Sequence, residues 1–252
     1  MATVGLASIN YVQDRYIFFY DMIEDIAVGK TFMITGGIQQ KNNINRPYIG
    51  AQFALGKYTR RGYFGGEVQW GSYINDKRFE EGVFRVEGLY FSKLYHWGRW
   101  GFRHFFNPEI VIGLNRWDYA MDKITLNGAY GIDGFDSYEL RGTKKVLLNL
   151  QLQSYAPYEW LGFRFSPFFS TSIGFMGDND NTFVTKDMYS KIGLGVVISN
   201  DYLVFNNFQF SLAFYPNIPG NGHNIFKTNN LRNTNFNLQQ FDYGKPELVP
   251  YN

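Results

Sequence analysis

The chain of 252 residues contains no cysteine, and its two kinds of charge are nearly balanced, with 24 Lys and Arg against 22 Asp and Glu. The absence of thiols excludes disulfides, thiolate zinc sites and cysteine nucleophiles. The balance of charge argues against nucleic acid as a partner, because a nucleic-acid surface concentrates Lys and Arg on one face or in one tract. Aromatic residues, in contrast, make up 19% of the chain.

Long apolar runs are also missing, since stretches such as 16–20 last only a few residues. A helix that crosses a bilayer needs about 20 predominantly apolar residues, so no membrane helix is expected. The start of the chain, Met1-Ala2-Thr3, lacks the charged and apolar regions of a signal peptide. If the protein is exported, we therefore expect this chain to be a processed, truncated or re-engineered form.

What the sequence does contain is apolar and polar residues in alternation, the pattern of strands with two different faces. In 146–153, leucines and Val146 alternate with Asn149, Gln151 and Gln153. Segments of this kind, separated by Gly, Asn, Asp and Pro, predict about twelve strands in one domain, 1–252. They cover 3–13, 15–26, 30–40, 47–59, 62–74, 82–96, 99–115, 144–155, 161–176, 189–199, 204–215 and 233–243.

Short turns alternate with longer polar connections at 116–143, 177–188 and 216–232, as in outer-membrane barrels. Tyr and Trp gather near strand ends, which is typical of a membrane interface. These are Tyr95, Trp97, Trp100, Tyr155, Tyr158 and Trp160. The sequence therefore predicts an all-β fold, a transmembrane antiparallel β-barrel of about 12 strands in the bacterial outer membrane, with lipid as a partner. A soluble lipocalin-like or sandwich domain is the alternative.

In the barrel interpretation the polar face of each strand lines the lumen. Charges of both signs fall on that phase, and a dry sandwich core could hold them only at a cost of several kcal/mol per ion. The residues predicted to face the lumen are Arg85, Glu87, Arg103, Glu109, Gln151, Arg164 and Ser172.

The connection before strand 144–155 contains Ile132-Asp133-Gly134-Phe135 and then Arg141-Gly142. It resembles the bacterial surface antigen superfamily, the barrels of outer-membrane assembly and two-partner secretion, in which a long loop carries Val-Arg-Gly-Phe. The family's following Phe-x-Asp-x-Gly aligns with 170–174, and the similarity in motifs covers about 130–176. The resemblance implies a protein insertion or translocation barrel, with loop 116–143 folded into the lumen.

The resemblance also implies a client polypeptide and N-terminal periplasmic domains, which this chain does not contain. Members of that family usually have about sixteen strands, so the resemblance implies that the chain is the C-terminal barrel portion of such a protein or a smaller barrel that closes with twelve strands. A passive channel or structural outer-membrane barrel remains the alternative function.

Two departures from the family fall on one interaction. The family's loop Arg and strand Asp are replaced here by Asp133 and Ser172. A carboxylate in a narrow lumen needs a cation. We therefore expect Asp133 or its neighbours to contact one of four arginines, and Ser172 not to be the main anchor. The four are Arg85, Arg103, Arg164 and Arg141.

Catalysis has little support in the sequence. The histidines are His96, His104 and His223, and no serine of matching phase accompanies His104 on its strand. The acidic stretches at 24–25 and 178–180 lack the ligand spacing of a calcium loop. We therefore expect no enzyme activity, no metal site and no cofactor.

Overall fold

The computed structural model describes residues 1–17, 22–41, 43–117, 122–178, 187–200, 207–229, 241 and 246–252. Over these ranges the chain is all-β, as predicted, apart from 3-10 residues at Asp122 and at Gly128–Tyr130. No helix in this described part is long and apolar enough to cross a membrane.

Twelve strands form one antiparallel sheet, in which neighbours along the chain are neighbours in space. β6 is a short piece that continues the edge of β5 alongside β7 after a break at 93–94. The strands are β1 Ala2–Arg15, β2 Ile23–Lys41, β3 Ile44–Thr59, β4 Gly62–Asn75, β5 Arg78–Ser92, β6 Tyr95–Trp97, β7 Trp100–Leu114, β8 Lys144–Tyr155, β9 Phe163–Gly177, β10 Tyr189–Asn200, β11 Asn207–Ile218 and β12 Gly222–Asn229.

Most predicted strands are confirmed within a few residues, but the two ends of the chain differ. The predicted strand 15–26 is wrong, because β1 runs to Arg15 and β2 starts at Ile23, forming one long hairpin. The predicted long connection 216–232 is also wrong, since a tight turn at 219–221 leads into β12. The predicted strand 233–243 lies outside the described residues except for Phe241.

The alternation in sequence gives the sheet two unlike faces. On β8, Asn149, Gln151 and Gln153 are buried while Leu150 is exposed on the other side. We call the side with the buried polar residues the inner face and the side with the exposed apolar residues the outer face. The end of the sheet with the turn at 60–61 is called the turn end, and the end with the connection 115–143 is called the loop end.

β1 and β12 are the two edges of the sheet, and within the described ranges they do not pair with each other. Over the residues that the structure describes, the sheet is therefore not closed into the predicted barrel. Its inner face nevertheless holds two apolar clusters. One lies at the loop end, around Val111, Leu147 and Tyr215. The other lies at the turn end, around Tyr63, Phe91 and Phe105.

The β1–β2 hairpin bends at Ile9 and Gly29, which face each other in the register. Pairing of β2 with β3 begins only at Gly29, so residues 23–28 leave the sheet together with the end of β1. A Cβ at position 29 would lie 1.9 Å from the carbonyl oxygen of Ser8, so only glycine allows this close approach. We call residues 10–17 and 22–28 the hairpin cap, because Ile17 and Ile26 pack into the turn-end cluster.

Candidate functional site

The described part of the β7–β8 connection, residues 122–143, lies against the inner face at the loop end, and we call it the inner loop. Its side chains Leu126, Ile132 and Phe135 are fully buried in the loop-end cluster. Phe135 meets Tyr189 of β10 edge to face, with ring centroids 5.9 Å apart. The motif at 132–135 therefore supplies apolar anchors that pack against the sheet.

Glycine at position 174 makes room for these anchors. A Cβ there would lie 3.0 Å from Cδ1 of Leu126 and 3.1 Å from Cδ1 of Ile132. Such distances are tighter than normal packing, so a larger residue on β9 would push the inner loop away. Gly174 is also the glycine of the aligned strand motif, although the sequence alone did not assign it this contact.

Hydrogen bonds within the inner loop fix its shape. The Ile132 N–H donates to the Leu126 carbonyl at 2.8 Å, and the Asn127 side-chain amide donates to the Ser137 carbonyl at 2.9 Å. At the base, Ile124 and Gly142 exchange two backbone bonds of 2.8 and 3.0 Å. Gly142 is buried there, whereas the side chain of Arg141 is exposed. The loop is thus a closed unit whose two ends are held together.

Asp133 meets a cation on the sheet, as the argument from charge requires. The cation shown is Lys191 of β10, whose Nζ lies 2.9 Å from a carboxylate oxygen of Asp133. Lys191 is not one of the four arginines named from the sequence. In the sheet it stands directly opposite Ser172, which is buried on β9. The anion is therefore on the loop and the cation on the strand beside the aligned position.

Neighbouring contacts tie the inner loop to two further strands and to the turn between them. The Tyr215 hydroxyl of β11 donates to the Asp133 carbonyl at 2.6 Å. Lys227 Nζ of β12 donates to the Gly134 carbonyl at 2.9 Å, and Ser137 Oγ donates to the Pro219 carbonyl at 2.7 Å. Because these contacts come from β11, β12 and their turn, the loop bridges the last strands of the sheet.

Charged residues form a network at mid-height on the inner face. Arg85 lies 2.9 Å from Glu87 and 3.2 Å from Glu109, so one predicted residue contacts two others. Lys145, which the sequence argument did not name, adds a 3.6 Å contact to Glu109 and donates to the Tyr130 carbonyl of the inner loop. Its position on the inner phase of β8 was the signal that could have found it.

The side chains of Gln151 and Arg164 also lie on the inner face, but Arg164 lies closer to the turn end. Gln151 is buried and donates to the Gln153 side chain at 3.1 Å. Arg164 sits near the turn end, where it meets Glu159 at 3.5 Å. The structure thus brings together some of the predicted residues and leaves Arg164 at the rim.

Arg103 anchors the hairpin cap at the turn end. Its side chain is fully buried and its guanidinium contacts Asp14 at 3.1 Å. It also donates to the carbonyl oxygens of Ser92 and Arg15, each at 2.7 Å. A buried guanidinium with three such acceptors is well compensated, and it holds the cap against β5 and β7.

Aromatic residues at the turn end mostly point outward, with one exception. Trp97 and Trp160 are 81% and 68% exposed. Tyr155, which the sequence argument placed in this group, is instead buried, and its hydroxyl donates to the Tyr16 carbonyl of the hairpin cap. An open pocket of about 470 Å³ lies among the outward residues; its lining is Trp97, Trp100, Phe102, Ser154 and Pro167.

His104 lies among the outward aromatic residues, with its Nε2 3.0 Å from the Tyr95 hydroxyl. Over the described ranges, no three His, Asp or Glu side chains come together as metal ligands. The chemistry that the inner face offers is therefore apolar packing, ion pairing and hydrogen bonding to peptide groups.

In comparisons with known proteins, no family model, no curated protein and no solved structure matches this chain. The resemblance to the surface antigen superfamily accordingly stays a prediction.

Proposed function

We propose that the protein is a bacterial outer-membrane β-barrel that takes part in inserting or translocating polypeptides, with its inner loop folded into the lumen. The observation that carries this proposal is the pairing of an apolar outer face with a charged inner face that the chain's own loop covers.

The outer face suits lipid better than water. Apolar side chains stand exposed along most strands, including Phe53 on β3, Leu194 on β10 and Leu212 on β11. Soluble monomers rarely expose a continuous apolar surface of this extent. In a soluble sandwich the apolar face would be the core, whereas here it is the face left uncovered.

Strand length supports the same proposal. β1 to β5 and β7 to β11 each contain between 12 and 19 residues. A tilted strand crosses the hydrocarbon layer with about 9 to 11 residues, so these strands are long enough. Closure requires partners for the edges β1 and β12. In a barrel of about sixteen strands, which the resemblance implies, the remaining strands provide these partners.

The contents of the interior favour a gated protein over a passive channel. The inner loop, with Leu126 and Phe135, fills an apolar cluster at the loop end. A water-filled pore would instead keep a polar lumen along its length. The inner loop is held to the sheet by non-covalent contacts alone, namely buried apolar side chains, an ion pair and hydrogen bonds, so it can be released. A separable seam between the first and last strands offers a route for a client strand.

The decisive experiment uses liposomes that contain the purified protein and an unfolded outer-membrane β-barrel as client. Faster folding of the client into these liposomes than into empty ones supports the proposal. Ion conductance without faster folding would instead establish the passive channel, and a monodisperse monomer in detergent-free buffer would establish the soluble domain.

A further inference from the structure

A second stretch of chain, residues 246–252, also lies against the inner face, together with Phe241. The Val249 N–H donates to the Tyr48 hydroxyl of β3 at 3.0 Å. The Tyr251 hydroxyl donates to the Thr143 carbonyl at 3.3 Å. Both contacts are far from the segment in sequence, so the segment is held by tertiary structure alone.

Glycines on three strands make room for this stretch. A Cβ at Gly71 would lie 2.1 Å from the Tyr48 hydroxyl that binds the segment and 3.0 Å from Cγ2 of Val249, and a Cβ at Gly113 would lie 2.6 Å from the Tyr251 hydroxyl. A Cβ at Gly56 would lie 2.6 Å from Cζ of Phe241. These glycines therefore leave a groove on the inner face of β3, β4 and β7, in which Phe241 and residues 246–252 lie.

The groove recognises the segment in two ways. Tyr48 accepts a hydrogen bond from the backbone, which any residue except proline can provide. Arg116 places its guanidinium 3.7 Å from the centroid of the Tyr251 ring, a close cation–π contact. The side chain of Leu248, in contrast, is exposed. Recognition thus rests on one backbone N–H and, two residues later, one aromatic ring.

The geometry points to a binding site for a polypeptide segment in this groove, with residues 246–252 as its resident occupant. The ligand presents a backbone N–H to Tyr48 and, two residues later, an aromatic ring to Arg116. A further step, in which a client polypeptide competes with residues 246–252 for the groove, rests on the proposed function. The site itself requires no client.

The groove is also connected to both ends of the inner loop. Arg116 binds Asp122 at 2.7 Å, at the start of the loop, and Thr143 lies at its end. When another polypeptide replaces residues 246–252 in the groove, contacts at both ends of the inner loop therefore change. A polypeptide in the groove and the position of the inner loop are coupled through Arg116.

The first test uses the full-length chain with Val249→Pro and Tyr251→Ala, which remove both anchors of the resident segment. A fluorescent heptapeptide with the sequence of residues 246–252 is titrated in detergent and followed by anisotropy. It should bind this variant and should bind the unsubstituted protein at least roughly tenfold more weakly, because the groove is occupied there. A peptide with alanine in place of Tyr251 should not bind the variant.

Equal binding to both proteins, or no binding to a variant that keeps its strand content by circular dichroism, overturns the assignment.

A second measurement keeps Val249 and Tyr251 and changes the groove instead. Because the chain has no cysteine, Leu248→Cys introduces a unique site for a nitroxide label. Tyr48→Phe should increase the mobility of this label by electron paramagnetic resonance. The matched control Tyr90→Phe removes a hydroxyl that donates to the Arg61 carbonyl at the turn end and should not.

A label that is already mobile with Tyr48 present contradicts the proposal. The outcome is separate from that of the liposome experiment, since the peptide can bind a protein that does not fold clients and can fail to bind one that does.

Discussion

Asp133 of the inner loop and Lys191 of β10 form an ion pair of 2.9 Å whose polarity is the reverse of the loop arginine and strand aspartate of the family it resembles. Lys191 stands opposite Ser172 in the register of β9 and β10. In the predicted alignment with that family, both residues of its ion pair are replaced, and the neighbouring strand provides the cation for Asp133. The pair joins the inner loop to the sheet beside the hydrogen bonds that Tyr215 and Lys227 make to the carbonyl oxygens of Asp133 and Gly134.

Removal of this pair should loosen the inner loop. Asp133→Ala leaves Lys191 with less compensation, and a lost hydrogen bond to a charged group costs about 2 kcal/mol. We expect faster protease cleavage within 128–143. Lys57→Met, which removes an exposed lysine of β3, serves as the control. The exchange Asp133→Lys with Lys191→Asp should restore part of the protection; identical cleavage in all variants would contradict a role for the pair.

The hairpin cap should depend on Arg103. Arg103→Leu leaves the Asp14 carboxylate without its buried partner, and breaking such a pair costs about 3 to 5 kcal/mol. Urea unfolding in detergent measures the loss. Adding Asp14→Asn should recover part of it, because the isolated charge is then removed. A decrease in the free energy of unfolding of less than about 1 kcal/mol is typical of a surface salt bridge. It would contradict the buried position of the Arg103–Asp14 pair.

Gly29 should tolerate no side chain. Gly29→Ala places a methyl group against the Ser8 carbonyl, so the hairpin can no longer bend as it does, at a cost of about 1 to 3 kcal/mol. Gly36→Ala on the same strand is the matched control, since a Cβ there meets nothing within 4 Å. Urea unfolding measures both variants. An equal loss of stability for Gly29→Ala and Gly36→Ala would show that the bend does not require glycine.

The outer face should reject charge in proportion to its depth in lipid. Phe53→Arg, in the middle of β3, should destabilise the protein in liposomes by about 2 to 4 kcal/mol, whereas Leu161→Arg at the turn end should cost about 0 to 1 kcal/mol. Reversible folding in vesicles at increasing urea measures both values. Equal costs at the two positions would argue that lipid does not contact Phe53.

Alkaline pH should release the segment 246–252. Burial raises the pKa of Tyr251 to about 12 from 10.0, although Arg116 opposes the shift. A raised pKa means that the folded state holds the proton more tightly, so the contribution of this tyrosine is complete below pH 10 and is lost as pH rises towards 12. The nitroxide at position 248 should become mobile over that range, and Tyr251→Phe should remove this dependence.

Strands and faces could be predicted because alternation in the sequence reports them directly. Residues 146–153 show it most clearly, and their polar members are buried on the inner face. β12 was missed because its residues, such as His223, Asn224 and Lys227, are polar and follow a Gly-Asn-Gly turn. The hairpin was divided incorrectly because the bend at Gly29 changes which residues face inward, so one continuous strand has two phases.

The site was predictable only as far as the chemistry of single residues allows. That Asp133 needs a cation follows from its charge. That the cation is Lys191 follows from the register between β9 and β10, which the sequence does not specify. The groove for residues 246–252 is likewise a tertiary feature, because Gly56, Gly71 and Gly113 come from three strands and acquire a shared role only after the sheet has formed.

The hairpin cap also bears on the order of folding. Its contacts join Asp14 to Arg103 and Tyr16 to Tyr155, pairs that are 89 and 139 residues apart in the chain. Contacts between such distant residues require large loops to close first, and they form slowly. The neighbouring hairpins of the sheet can assemble before these contacts exist. The first hairpin of the chain is therefore expected to finish last, when β7 and β8 are already in place to receive it.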